Sequence, residues 1–127
     1  MSDFRKKFKF EERKEITNKI IGKYEDKCPI YLSFDSHINF KSLKNYNRYI
    51  VSNSLTLTQF LLIVKKKINF DPTESLTLFI EIYDKDKSIV KDSILAPLAS
   101  SISTIYDTNK NEDGFLYMKV LKENVFG

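Results

Sequence analysis

The sequence predicts an α+β fold, on three observations. Segments 28–34, 75–83 and 115–121 set their apolar side chains two residues apart, the period of a strand. Segment 56–68 repeats its apolar residues at helical spacing behind an N-terminal capping pattern. Two further helical patterns stand in front of everything else. Strands on both sides of one strong helix describe a mixed sheet folded over that helix, the β-grasp arrangement, with two helices added at the N-terminus.

Composition bounds the class. The 127 residues are 42% hydrophobic and 30% charged, with 3 Gly and 3 Pro, which predicts one globular domain without long linkers. The expected division is a helical extension over 1–24, a core over 28–121 and a flexible tail over 122–127. No apolar run approaches a membrane span and the N-terminus lacks a secretory h-region, so the expectation is a soluble, cytoplasmic chain. The single cysteine, Cys28, excludes an intrachain disulfide. A net charge of +4 is modest, and the lysines alternate with acids as on an ordinary surface.

The elements follow in order. Phe4 and Phe8, four residues apart, mark a first short helix with Asp3 as its cap. A second helix over 10–24 places Phe10, Thr17 and Tyr24 a heptad apart, with Ile16, Ile20 and Ile21 near that face. Segment 28–34 sets Cys28, Ile30, Leu32 and Phe34 on one side of a strand, and Pro29 suggests its first turn or an edge. A polar loop over 35–47, containing His37, leads to a short strand at 48–52 that pairs back as a hairpin. Thr56 and Gln59 have capping-box spacing ahead of Phe60, Ile63, Val64 and Ile68, with Lys65, Lys66 and Lys67 in the last turn and Asp71-Pro72 as the stop. After the strand at 75–83, the charged stretch 84–93 reads as a surface excursion. Pro97 is expected at the first position of a short helix reaching Tyr106. Asp113-Gly114 is a turn into the last strand, and the sequence closes on Gly127.

Catalytic chemistry is sparse. Cys28 and His37 are the only thiol–imidazole candidates, and Cys28 falls on the apolar side of a strand, where a cysteine acts as a small hydrophobe. No metal-ligand spacing, glycine-rich phosphate loop or nucleophile elbow occurs. Stacking aromatics and zinc ligands of nucleic-acid modules are also missing. The expectation is a chain that is not an enzyme, needs no cofactor or metal, and has no specific nucleic-acid partner. A terminal glycine after a core strand suits an acyl-transfer modifier, because its carboxyl has no side chain beside it and fits narrow thioester sites.

Five stretches in register then point to a family: Phe10-Glu11-Glu12-Arg13, 23–30 (KYEDKCPI), Arg48-Tyr49-Ile50-Val51, Leu55-Thr56 with Gln59-Phe60, and 113–117 (DGFLY). In their order and spacing the chain resembles the autophagy-related protein 8 family of ubiquitin-like modifiers, which includes GABARAP. The resemblance implies a ubiquitin-like β-grasp with two extra N-terminal helices. It implies activation at Gly127, transfer through E1-like and E2-like conjugation enzymes, and conjugation to phosphatidylethanolamine on the autophagosomal membrane. A processing and delipidating cysteine protease is a further implied partner.

The resemblance also implies a peptide site for aromatic-x-x-aliphatic motifs of cargo receptors and adaptors, bound by strand addition. Ile20, Pro29, Tyr31, Arg48, Ile50 and Phe115 match the aromatic pocket, with Ile16 at its rim where relatives carry an acid. Tyr49, Val51, Leu55, Phe60 and Ile63 match the aliphatic pocket, and Lys27 takes the place of a basic residue that faces acids beside the motif. Ser52 replaces a proline common after the edge strand, and 83–95 is longer than usual by about ten residues, a loop insertion of the kind a fold tolerates. The alternative reading is a non-conjugated peptide-binding scaffold of the same fold, in trafficking or microtubule association.

Overall fold

The computed structural model describes residues 3–35, 47–71, 73–84 and 89–122. Its elements are α1 (Asp3–Lys7), α2 (Phe10–Lys23), β1 (Lys27–Phe34), β2 (Arg48–Ser52), α3 (Leu57–Lys67), β3 (Leu76–Tyr83), β4 (Val90–Leu95), α4 (Ile102–Asn109) and β5 (Leu116–Lys122). The strands form one sheet in the order β2-β1-β5-β3-β4. β1 and β5 run parallel and the other neighbours antiparallel. This is the expected β-grasp with α1 and α2 added, and the strand pairing explains why alternation was so clear. Ile30, Leu32, Leu78, Ile80, Leu116, Met118 and Val120 turn to the face covered by α3 and α4. Tyr31, Tyr83, Phe115 and Tyr117 turn to the opposite face, where they meet Phe4, Phe8 and Ile16 of the N-terminal helices.

Helix α3 follows its capping box. Thr56 Oγ1 accepts from the Gln59 N–H at 3.2 Å, and Gln59 Oε1 accepts from the Thr56 N–H at 2.9 Å. Leu57, Phe60, Leu61, Val64 and Ile68 are its buried stripe; Ile63, expected within it, is 40% exposed. The helix ends at Lys67 with Ile68 as its cap, earlier than Asp71-Pro72. Asn69 takes φ 54°, its N–H donates to Lys66 O at 3.2 Å and the Phe70 N–H donates to Lys65 O at 2.9 Å. That pair of bonds is a Schellman cap, with asparagine supplying the left-handed residue. Pro72 lies outside the described residues, as do His37 and most of the loop expected over 35–47.

Four other expectations are corrected. Pro29 is not on an edge, because β1 lies between β2 and β5. Leu32 N–H donates to Asn47 O at 2.7 Å, so even-numbered residues of β1 bond β2 and odd-numbered ones face β5. Pairing with β5 begins only at Ile30, so the N–H that proline lacks falls just before the ladder. Pro97 does not open the last helix. It starts a turn closed by Ser100 N–H on its carbonyl at 2.9 Å, and α4 begins five residues on, capped by Ser101 Oγ accepting from Thr104 N–H at 3.2 Å. The charged stretch expected as loop holds the strand β4, paired with β3 through a bulge at Ile82/Tyr83; 85–88 lie outside the described residues. Lys122, expected as the start of the tail, is the last residue of β5 and pairs with Leu76.

The largest difference concerns α2. Phe10 and Ile21 are exposed, and beside Thr17, expected on the inner face, the helix buries Arg13. Arg13 Nε donates to Asp113 Oδ2 at 2.8 Å, and Thr17 Oγ1 donates to the Asp113 carbonyl. A helix facing a polar turn with a buried carboxylate needs polar contacts, which counting apolar residues cannot detect.

Candidate functional site

Strand β2 ends the sheet, so one of its backbone edges has no strand beside it among the described residues. Asn47 O accepts from Leu32 N–H of β1 at 2.7 Å and Asn53 N–H donates to Asp26 O just before β1 at 2.9 Å, so the alternate residues Arg48, Ile50 and Ser52 aim their backbone N–H and C=O outward. The side chains divide in the same rhythm. Arg48 and Ile50 stand on the α1–α2 side, in register with Tyr31 and Pro29, while Tyr49 and Val51 point into the core beneath α3.

On the α1–α2 side, Ile16 of α2 packs against the cluster that holds Tyr31 of β1; Ile20 is half-buried one turn further along α2, and Pro29 is buried on β1. Ile50 is 46% exposed and Arg48 is exposed; Phe115 is fully buried at the entry to β5. Lys27 shares this face two residues before Pro29, with Nζ 5.2 Å from the Tyr24 ring centroid. On the α3 side, Tyr49 meets Phe60 edge-on at 5.4 Å, and Val51 is buried beside them in the same cluster. Leu55 is half-buried against this cluster and Ile63 stands out on the helix surface. The matched residues therefore assemble into two apolar groups on opposite faces of one edge strand. The buried members are floor, and Ile16, Ile20, Ile50, Leu55 and Ile63 carry the apolar surface. Gly127 lies outside the described residues.

Sequence reasoning missed Phe4. Its ring stacks on Tyr31 at 4.7 Å and meets Phe115 edge-on at 5.2 Å, and the Arg48 guanidinium lies 5.5 Å from its centroid. The only signal was its four-residue spacing from Phe8, which spoke for a helix and not for a site.

Two grooves lie elsewhere on the surface. One of about 840 Å³ runs between α1, α2, the end of β3 and residues 108–112. The other, about 640 Å³, lies between α2, α4 and the start of β1 and reaches Lys27 and Cys28. Cys28 is buried, and its thiol is pushed up to about 11 by burial and then by Asp107, against the pull of Lys110. A thiol so held is protonated at neutral pH and a poor nucleophile. Among the described residues no group of His, Cys, Asp and Glu has the arrangement of a metal site, and no helix is long and apolar enough to cross a membrane.

Comparison with known proteins agrees with this architecture. The family described as "Autophagy protein Atg8 ubiquitin like" matches residues 12–127. Autophagy-related protein 8 of Schizosaccharomyces pombe is 34% identical over 126 residues, covering 99% of this chain and 94% of that one. The protein of the same name from Emericella nidulans is 31% identical, covering 99% and 97%. The crystal structure of Trypanosoma brucei ATG8 superposes with a TM-score of 0.78 at 26% identity, covering 100% of this chain and 99% of that one.

Proposed function

This chain belongs to the Atg8 family of ubiquitin-like autophagy proteins, and from that membership we propose that it is a modifier conjugated through Gly127 to phosphatidylethanolamine, recruiting cargo receptors and adaptors along β2. The Gly127 carboxylate is adenylated with release of pyrophosphate. An E1-like thiol displaces AMP to form a thioester, which passes to an E2-like thiol and is transferred to the lipid amine as an amide, releasing that thiol. A cysteine protease reverses the last bond by hydrolysis. The chain accordingly divides its time between the cytoplasm and the autophagosomal membrane.

One observation carries the peptide-binding half: two apolar groups flank the same free edge on opposite faces. An extended peptide beside β2 meets the outward N–H and C=O groups of Arg48 and Ile50. In a strand, side chains three residues apart point to opposite faces. An aromatic residue directed to Ile16, Ile20 and Ile50 therefore sends the aliphatic residue three positions on toward Leu55 and Ile63. Lys27 and Arg48 supply positive charge for acidic residues beside the motif.

Two experiments test the two halves. With cognate conjugation enzymes, ATP and phosphatidylethanolamine liposomes, the chain is expected to form a faster-migrating adduct that Gly127→Ala abolishes; an adduct surviving that change would assign the linkage elsewhere. Ile50→Ala is expected to weaken an aromatic-x-x-aliphatic peptide about tenfold by calorimetry, with the fold intact by circular dichroism, through lost apolar contact. Unchanged affinity would remove Ile50 from the site.

A further inference from the structure

We infer that Phe4 determines the aromatic specificity of the proposed peptide site by filling the inner part of its aromatic subsite. The inference rests on the peptide-binding reading above and adds a residue of α1 to it. The matched subsite contains two aromatic side chains of its own, Tyr31 and Phe115, and both are buried. Phe4 covers them. Its ring lies nearly parallel to Tyr31 (17°, 4.7 Å) and nearly perpendicular to Phe115 (83°, 5.2 Å), both favourable aromatic geometries. Arg48 stands over the same ring, and Ile16 packs against the same cluster. Three residues of the subsite, Tyr31, Phe115 and Arg48, thus already share an aromatic partner supplied by the chain itself, and Phe4 is only 6% exposed.

The next residue anchors that ring. The Arg5 guanidinium lies 3.5 Å from Asp113 Oδ2 and sits 4.1 Å from the Tyr83 ring centroid and 5.0 Å from that of Tyr117. Arg13 Nη1 donates to the carbonyls of Arg5 and Phe8 on either side of the last turn of α1. The backbone that carries Phe4 is thereby fixed by a buried charge cluster, and with the ring packed on Tyr31 and Phe115 an incoming ring stacks outside it. The subsite is shallow. A single six-membered ring fits at little loss, whereas an indole cannot bury its second ring.

The test compares peptides identical except for Trp or Phe at the aromatic position, by calorimetry against the full chain and its Phe4→Ala, Phe4→Leu and Phe4→Tyr variants. Circular dichroism and melting report the fold of each. Free indole is titrated in parallel, with Tyr31 and Phe115 followed by NMR. Phe4→Ala is expected to raise the Trp-to-Phe affinity ratio about tenfold or more, since one methylene of fit in an apolar pocket already discriminates about tenfold. Phe4→Leu, which keeps most of the burial, is expected to fall between, and Phe4→Tyr to retain the parent ratio. If Phe4→Ala does not fold, the Leu and Tyr variants carry the comparison. Peptide binding with the same ratio in all folded variants would overturn the role of Phe4 and leave the peptide-binding reading standing. No peptide binding by the parent, with indole entering next to Tyr31 only when the Phe4 ring is removed, would overturn that reading and uphold the filled subsite. Neither peptide nor indole binding to any variant would overturn both.

Discussion

Asp113→Ala is expected to lower the unfolding free energy by about 3–5 kcal/mol, the range for removing one partner of a buried charge pair. The carboxylate is wholly buried. Its Oδ2 accepts from Arg13 Nε at 2.8 Å and from the Tyr117 hydroxyl, and Oδ1 accepts from the Phe115 N–H at 2.9 Å. Arg5 is the second cation, at 3.5 Å. One side chain thereby ties α1, α2 and β5 together. Alanine takes this carboxylate from the two buried guanidiniums and the acceptor from a buried phenol, desolvation costs that folding then offsets less well. Asp113→Asn keeps the shape and loses the charge, so its loss should be smaller. Urea denaturation of both variants checks this, with hydrogen exchange of α1 and α2 as the local readout. A loss under about 1 kcal/mol for Asp113→Ala would mean that packing, and not the ion cluster, holds the N-terminal helices.

Gly114→Ala is expected to cost about 2–4 kcal/mol, through backbone strain and overpacking together. Gly114 takes φ 96°, a conformation that side chains with a Cβ rarely adopt. A Cβ there would also lie 2.3 Å from Thr17 Oγ1 and 2.7 Å from Thr17 Cβ, so the residue lets α2 approach the turn. Tyr106 strengthens that turn by donating its hydroxyl to Gly114 O at 2.6 Å. Adding Thr17→Ala removes the hydroxyl and methyl contacts but not the Cβ contact or the φ, so the double variant should recover only part of the loss. Denaturation of the two single variants and the double variant measures the coupling. Full additivity would show that the backbone conformation alone imposes glycine.

Alternation and capping were legible because they are local. Cys28, Ile30 and Leu32 on one face of β1, and Leu116, Met118 and Val120 on one face of β5, follow from a period of two and needed no partner to be read. Thr56 and Gln59 announced the start of α3 through hydrogen bonds spanning three residues. β4 was not legible. Its sequence, VKDSIL, is an edge strand exposed along almost its whole length, so neither face writes an apolar pattern, and only pairing with β3 makes it a strand. Arg13 was quoted as part of a family motif, but its role was hidden because its partner lies 100 residues away. The matched site residues could be named in advance from the resemblance, yet which are floor and which are surface depended on packing.

By itself, then, the sequence determined the β-grasp core, because periodicity and caps are carried by neighbours in the chain, and its motifs in register pointed to the family, whose resemblance implied the two sets of residues along β2. The tertiary structure decided that those sets lie on opposite faces of a free edge. It also decided that α2 docks through Arg13 and Thr17, and that Phe4 lies over Tyr31 and Phe115. Each of these joins segments distant in sequence, as Arg13 meets Asp113 across 100 residues, so no pattern among chain neighbours could show it.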